Sequence, residues 1–277
     1  MTRVSQAMQE AGISDDALAG GGTALPQMDY ADHGQMLSSG AEPCKFLIRA
    51  DADDMMRFVE DMGVKISAGL VALYASAFLK VHPEIAGSLR IALPVDYRNV
   101  LGIPHTFRNC AMPPAMFNIE VRQGETIREM AGRINQSIIQ LTSPAVELLT
   151  IKGFASYMKM LPPLPYAQTA GLMAQALTYD HPPFTFNCSY AHRFQDEEYL
   201  GLVDSIYVLT PAFGSAPVFE VVALPDHFCI AMSQGGCNEV YLQAYMEELR
   251  MCGIHAVHEE TITGAGQYVA LRETLGL

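Results

Sequence analysis

Charge is scarce in this chain of 277 residues. Asp, Glu, Lys and Arg make up 17% of it, below the usual quarter, against 50% hydrophobic residues. A surface this poor in charge implies cover, by an oligomeric partner or a further domain. The charge that is present leans one way, with 30 acidic against 17 basic residues and a net charge of −13. That balance excludes general binding to nucleic acid or to an anionic membrane, while leaving room for one phosphorylated ligand held by a local pair of Arg residues. Long apolar runs are missing too. The longest, ISAGLVALYASAFL at residues 66–79, sits between Lys65 and Lys80 and is too short to span a bilayer. It reads as a core helix.

The first residues, Met-Thr-Arg-Val-Ser-Gln, contain no apolar signal region, and the cysteines at 44, 110, 188, 229, 237 and 252 include no C-x-x-C pair. A reduced, cytoplasmic protein is expected, with cysteines that act as small buried hydrophobes. There is no G-x-S-x-G nucleophile elbow and no G-x-x-x-x-G-K-[ST] phosphate loop. FGSAP, around Ser215, lacks the second glycine and reads as a turn.

Residues 1–42 are polar and small, with AGGGTALP at 19–26, and read as an N-terminal linker or extension. CKFLIRA then has the pattern of a strand and DADDMMRFVEDMG that of a helix. Asp51 is placed to cap it and Asp54 to complete a capping box. The D-x-D-D spacing could also mark a metal or a terpene-cyclase acid, but acids at a solvated helix start need no such explanation. The core helix at 66–80 ends before Pro83, and a strand follows at 89–95. A strand or strand pair is expected over 109–122. GETIREMAGRINQSIIQL is amphipathic, with Ile127, Met130, Ala131, Ile134 and Ile138 on one face. Residues 143–178 read as helical, broken by prolines 162, 163 and 165. Four strands are expected next, in FTFNCSYA, VDSIYVLT, PVFEVVAL and HFCIAMSQ. NEVYLQAYMEELRMCG reads as a closing helix stopped by Gly253. The last stretch, 256–277, reads as an appendix to a domain at 43–255. Helices between strands, then a strand block, predict an α/β layered domain with a mixed sheet.

Few residues here suggest chemistry. Cys252, His255, His258 and Glu259 recur at metal-ligand spacings, yet Gly253 ends the helix that would gather them. His33, His82, His105, His181 and His192 lie in turn-like contexts, with no bracing carboxylate evident. The stretch RIALPVDYRNVLGIPHTFRN, residues 90–109, is different. It ends a buried strand at Asp96, Tyr97, Arg98 and Asn99, crosses a Gly-Ile-Pro turn, and restarts with Arg108 and Asn109. Two readings stand. Asp96 caps a turn while Arg98 makes a surface ion pair of little worth. Alternatively, charges abutting an apolar strand are partly buried at a strand end, where α/β proteins gather functional groups.

ALPVDYRNVLGIPHTFRNC resembles the pattern Pro-Val-x-x-Arg, a short spacer, then Leu/Phe-Arg-Asn, of alcohol-acetyltransferase-like proteins. These belong to the chloramphenicol-acetyltransferase-like superfamily of CoA-dependent acyltransferases, with the condensation domains of peptide synthetases. KFLIRADADDMMRFVEDMGVKISAGLVALYASAFLKVHPE is similar to the strand, helix, turn and long apolar helix that precede that motif. FTFNCSYAHRF resembles a later strand with a Ser-Asn/Tyr-x-Gly element, here Ser189 and Tyr190, with His192 at the glycine position. FCIAMSQGGCNEVYLQAYMEELRMCGI fits the closing strand and helix. The likeness covers residues 43–255 and only the second half of the family's two-lobed chain.

The resemblance implies a two-layer sandwich, a mixed β-sheet with helices packed on it. It also implies transfer of an acyl group from acyl-CoA to a small alcohol or amine. Members carry a His-His-x-x-x-Asp-Gly motif whose second His is the base, and this sequence has none. By the resemblance Arg98, beside Asp96, braces the Asp of that motif in the other lobe. Asn109, Ser189 and Tyr190 line the acyl and CoA tunnel, with Asn109 and Ser189 placed to donate to the acyl oxygen. Hence the expectation is a truncated or partner-dependent acyltransferase lobe, completed by an N-terminal lobe or within a homo-oligomer. The alternative is a non-catalytic binding or assembly protein of the same fold. A partner-dependent enzyme should leave Arg98 without a carboxylate of its own chain, whereas an assembly protein should pair it internally or close the surface.

Overall fold

CKFLIRAD alternates deep and half-buried positions and forms strand β1, Cys44–Asp51, at the start of the described part of the chain. The computed structural model describes residues 43–104, 114–160, 184–194, 197–210, 212 and 216–263. Helix α1, Ala52–Met62, follows at once, and Asp51 caps it by accepting the Asp54 N–H at 2.9 Å. Asp54 does not close a capping box. Its carboxylate takes Arg57 (2.9 Å) and the backbone N–H of His255 (3.0 Å), which ties the helix start to a turn some 200 residues away in sequence. The complete capping box lies instead at Thr126 and Glu129, at the start of helix α3, Ile127–Leu141. T-x-x-E is its signal in the sequence.

Helix α2, Ile66–Val81, is buried on all sides over residues 68–75, which is why its sequence shows no polar face. Gly69 lets α1 close onto it, since a Cβ there would meet Val59 at 2.5 Å. Strand β2, Ser88–Leu93, stops two residues short of the expected end because Pro94 has no N–H to offer a ladder. Strand β3 covers Ala115–Glu120, and helix α4 covers Pro144–Met160. The remaining elements are β4, Phe186–Arg193; the single turn α5, Glu197–Leu200; β5, Val218–Ala223; β6, His227–Gln234; α6, Glu239–Met251; and β7, Ala256–Thr263.

The seven strands make one mixed sheet in the order β3-β2-β4-β5-β6-β1-β7. β2, β4 and β5 run parallel, and the other neighbours pair antiparallel. One face packs on α2, α3 and α6 around Tyr74, Phe78, Phe186, Phe219 and Tyr245. The α/β expectation with helices on a mixed sheet holds.

Two readings are corrected. VDSIYVLT, residues 203–210, is not a strand but an irregular strap across the other face. β5 is already paired on both sides, so no edge is open there. The strap is fastened by side chains instead: Ile206 N–H donates to Cys229 Sγ (3.4 Å) and Thr210 Oγ1 to Glu220 (2.7 Å). Residues 256–263, expected in an appendix, are edge strand β7 along β1. Its exposed, polar side chains carry no alternation, and its place is held by backbone hydrogen bonds. The expected extensions over 109–114 and 161–178 fall mostly outside the described residues. Among the described residues no single helix is long and apolar enough to cross a membrane.

Candidate functional site

Two groups of polar residues stand out, at the end of β2 and on the sheet face away from the helices. Past Pro94 the chain leaves the sheet and Asp96 organises the turn. Its Oδ1 accepts the Arg98 N–H at 3.0 Å, and its carboxylate takes Arg98 Nε at 2.8 Å and Nη2 at 2.6 Å. This is a two-pronged pair inside one Asx-type turn. The backbone closes with Leu101 donating to Tyr97, Gly102 to Asn99 and Ile103 to Arg98, and Gly102 takes the left-handed φ of +63° that the turn needs. Tyr97 and Val95 are buried with Ala115 against Leu141 and Ile151, so the turn is anchored on α3 and α4.

Glu147 of α4 joins this group, and sequence reasoning missed it. Burial raises its carboxyl pKa, the nearby Asp96 adds to the rise, and Lys65 opposes it. The Tyr97 hydroxyl is pushed up to about 12, by burial first and Glu147 second. Arg98 therefore has a carboxylate in its own chain, against the expectation for a partner-dependent lobe. The surface is still open, however: the two side chains are 42% and 33% exposed. Asn109 lies outside the described residues.

The second group follows from strand parity. On β4, Phe186 and Cys188 face the helices while Asn187 and Ser189 face away, and on β5 Glu220 shares the away face. Ser189 lies directly opposite Glu220 in the register, and both its hydroxyl and that of Thr210 bond the Glu220 carboxyl. Burial raises the Glu220 pKa against the pull of these two hydroxyls. One step along, Asn187 pairs across to Val218, and Val218 to Ser233. Asn187 Oδ1 and Ser233 Oγ are buried and find no hydrogen-bond partner. Tyr190, next to Ser189, points the other way and stacks on Phe228 at 6.3 Å in the helix-side layer. Ser189 and Tyr190 thus do not line one wall with their side chains.

A carboxyl held toward its neutral form, flanked by hydroxyls and an unused amide oxygen, suits carbonyl, amide and hydroxyl groups. Among the described residues this group presents no cation to a phosphate. Arg49 of β1, on the same face, is held by Glu259 at 2.6 Å and Asp204 at 3.2 Å.

Two of the described histidines, His82 and His258, have structural contacts. His82 is braced by a carboxylate after all, Glu84, at 3.1 Å, and its other nitrogen meets Tyr241 at 2.5 Å. This buried link joins the end of α2 to α6. His258 packs edge-on against Phe46, while its neighbour Glu259 turns to Arg49 and Tyr207. Cys252 ends α6 and Gly253 reverses the chain at φ +74°, so Cys252, His255, His258 and Glu259 do not share one helix. Among the described residues no group of three or more His, Cys, Asp or Glu could hold a metal ion.

No protein-family model and no curated protein matches the sequence. Solved structures do share its architecture. F. graminearum TRI101 complexed with coenzyme A and T-2 mycotoxin superposes with a TM-score of 0.52 at 16% identity, covering 77% of this chain and 48% of that one. TRI3 trichothecene 15-O-acetyltransferase from Fusarium sporotrichioides gives 0.52 at 15% identity, over 76% of this chain and 46% of that one. Polyketide synthase associated protein 5 from Mycobacterium tuberculosis gives 0.50 at 13% identity, over 90% and 61%. The chain spans less than two thirds of the length of each, and about half of the two Fusarium proteins. The acetyltransferases among them belong to the CoA-dependent acyltransferase superfamily, and the chain has the chloramphenicol-acetyltransferase-like fold of that superfamily.

Proposed function

We propose that the chain is one lobe of a cytoplasmic CoA-dependent acyltransferase and works only when joined by a lobe that carries a His-His-x-x-x-Asp-Gly base. That lobe could belong to the same polypeptide, a partner chain or an oligomer. One observation carries the reading: an acetyltransferase fold over about half of those enzymes' length, in a sequence that has Pro-Val-x-x-Arg but no such base. Acyl-CoA brings the activated acyl group as a thioester, and the acceptor is a small alcohol or amine. In this chain Glu220, in its neutral form, donates to the Ser189 oxygen and so frees the Ser189 proton for the acyl oxygen, while Thr210 holds Glu220 in place. By the resemblance Asn109 is assigned to the tunnel, and Arg98 to bracing the Asp of that motif in the second lobe. As the acceptor oxygen or nitrogen attacks the carbonyl, its proton passes to the base of the other lobe. The carbon–sulfur bond then breaks and coenzyme A leaves as the thiol.

A second reading, a non-catalytic binding or assembly protein of this fold, is favoured by the Asp96–Arg98 pair. Thiol release from acetyl-CoA, with a panel of small alcohols and amines, separates the two. The chain alone should be at background, because general-base help is worth roughly 100- to 10,000-fold. Adding the missing lobe should restore turnover. Within that complex Arg98→Ala should be severe, because a carboxylate across the interface would be left buried and unpaired, a loss of about 3–5 kcal/mol. Arg98→Lys should recover part of it, and Arg108→Ala should be mild. No turnover with the added lobe, or an Arg98→Ala loss no larger than that of Arg108→Ala, favours the assembly protein.

A further inference from the structure

Five of the six cysteines lie in the described residues, and two of them meet. Cys44 opens β1 opposite Gln234, the last residue of β6. Beyond Gln234 the chain doubles back, with Asn238 N–H donating to Gln234 Oε1 at 3.0 Å and Asn238 capping α6. That turn packs Cys237 against the core cluster that holds Cys44, where the Cys237 thiol and the Asn238 N–H both act on the Cys44 thiol. Both are free thiols. Among the described residues, the groups acting on Cys188, Cys229 and Cys252 are carboxyl, hydroxyl, amide, ammonium or guanidinium groups, none of them a thiol.

The two sulfurs differ in access. Cys44 is 2% exposed, inside the main core, while Cys237 is half-buried at the rim of that core. We propose that Cys44 and Cys237 form an oxidisable dithiol, a modification site at which a low-molecular-weight disulfide such as oxidised glutathione closes a bond between the start of β1 and the N-terminal end of α6. The order of events follows from access. The Cys237 thiolate attacks one glutathione sulfur, the glutathione S–S bond breaks, and one glutathione thiolate leaves. The Cys44 thiol then displaces the second glutathione from Cys237 and its proton goes to that leaving thiolate. Two protein thiols are oxidised and one small disulfide is reduced to two thiols. Burial, with Cys237 next, pushes the Cys44 thiol well up, which makes it inert to reagents in solution and useful only toward the sulfur beside it. A reducing compartment reopens the bond, so the site reports on redox state and is not a permanent staple.

The whole chain is incubated with excess oxidised glutathione, its remaining thiols are capped with N-ethylmaleimide under denaturing conditions, and it is analysed by intact mass and peptide mapping. The expected product carries two fewer caps than the reduced control and one cross-linked peptide pair joining Cys44 to Cys237 (a loss of about 2 Da before capping). Dithiothreitol should reverse it. Cys237→Ser, at a half-exposed position, should abolish the cross-link, and Cys252→Ser should leave it unchanged. Glutathione retained on Cys237, a bond between any other pair, or full capping of the wild-type chain would overturn the proposal. The wild-type map decides this by itself, so the result does not depend on how the variants fold.

Discussion

The two faces of the sheet are built from the same strands and differ in almost every other respect. Toward the helices, odd-numbered β5 residues Phe219, Val221 and Ala223 join an aromatic cluster in which Tyr74 lies 3.8 Å from Phe219 and 4.7 Å from Phe186, ring centre to ring centre. Away from them, the even position Glu220 meets Ser189 and Thr210, and Asn187 and Ser233 carry unused polar atoms. A strand's period of two lets one hexapeptide serve both surfaces, so a single step in the sequence changes the expected consequence of a mutation from folding to function.

That contrast is most easily broken at residues 219 and 220. Phe219→Ala should lose roughly 3–5 kcal/mol of stability, as a fully buried aromatic truncated in a packed core. Glu220→Gln, one residue on, should change stability by at most about 1 kcal/mol. Urea denaturation of both variants gives the comparison, and similar losses would dissolve the distinction. A pH series sharpens it. Glu220 and Glu147 both have folded pKa values above the ordinary carboxyl value of 4.5, chiefly through burial. Their neutral forms therefore favour the folded state. That contribution is whole below the unfolded pKa and is lost as pH rises through the folded one. Stability should fall on that rise, and less steeply in Glu220→Gln; an unchanged slope would assign the effect elsewhere. Smaller still, Thr126→Ala removes the complete capping box of α3 and should cost about 1 kcal/mol by thermal unfolding. Last comes Arg122→Ala. Arg122 pairs with Glu120 at 3.0 Å in the open, and its loss should stay within about 0.5 kcal/mol.

What could be read in the sequence follows the same division. The helix-side layer was legible because apolar runs and their spacing report burial directly: residues 66–80, the Ile127–Ile138 stripe and the strands of β4, β5 and β6 all appear where expected. Residues 203–210 were misread because their apolar content imitates a strand, and only the assembled sheet shows that β4 and β5, on either side of them in sequence, pair directly with each other. β7 was missed for the opposite reason, since AVHEETIT has no apolar face and an edge strand needs none. Glu220 carried a faint signal, a single acid inside PVFEVVAL, which gains meaning only when the register sets it against Ser189. At the Arg98 turn, the simpler reading of an Asp turn-cap and a local ion pair describes the observed contacts. A role toward a second lobe is not contained in them.

The most direct measurement compares the two faces in a complex with the proposed complementary lobe. Thiol release from acetyl-CoA is followed for Ser189→Ala and for Tyr190→Phe, adjacent residues on opposite faces. Ser189→Ala should lower kcat by roughly 100- to 1,000-fold, the usual cost of losing one donor to the developing oxyanion. Tyr190→Phe should leave it within a few fold. Equal rates in the two variants would contradict the placement of the site, and robust release by the isolated chain, abolished by replacing one of its own histidines, would contradict the need for a second lobe.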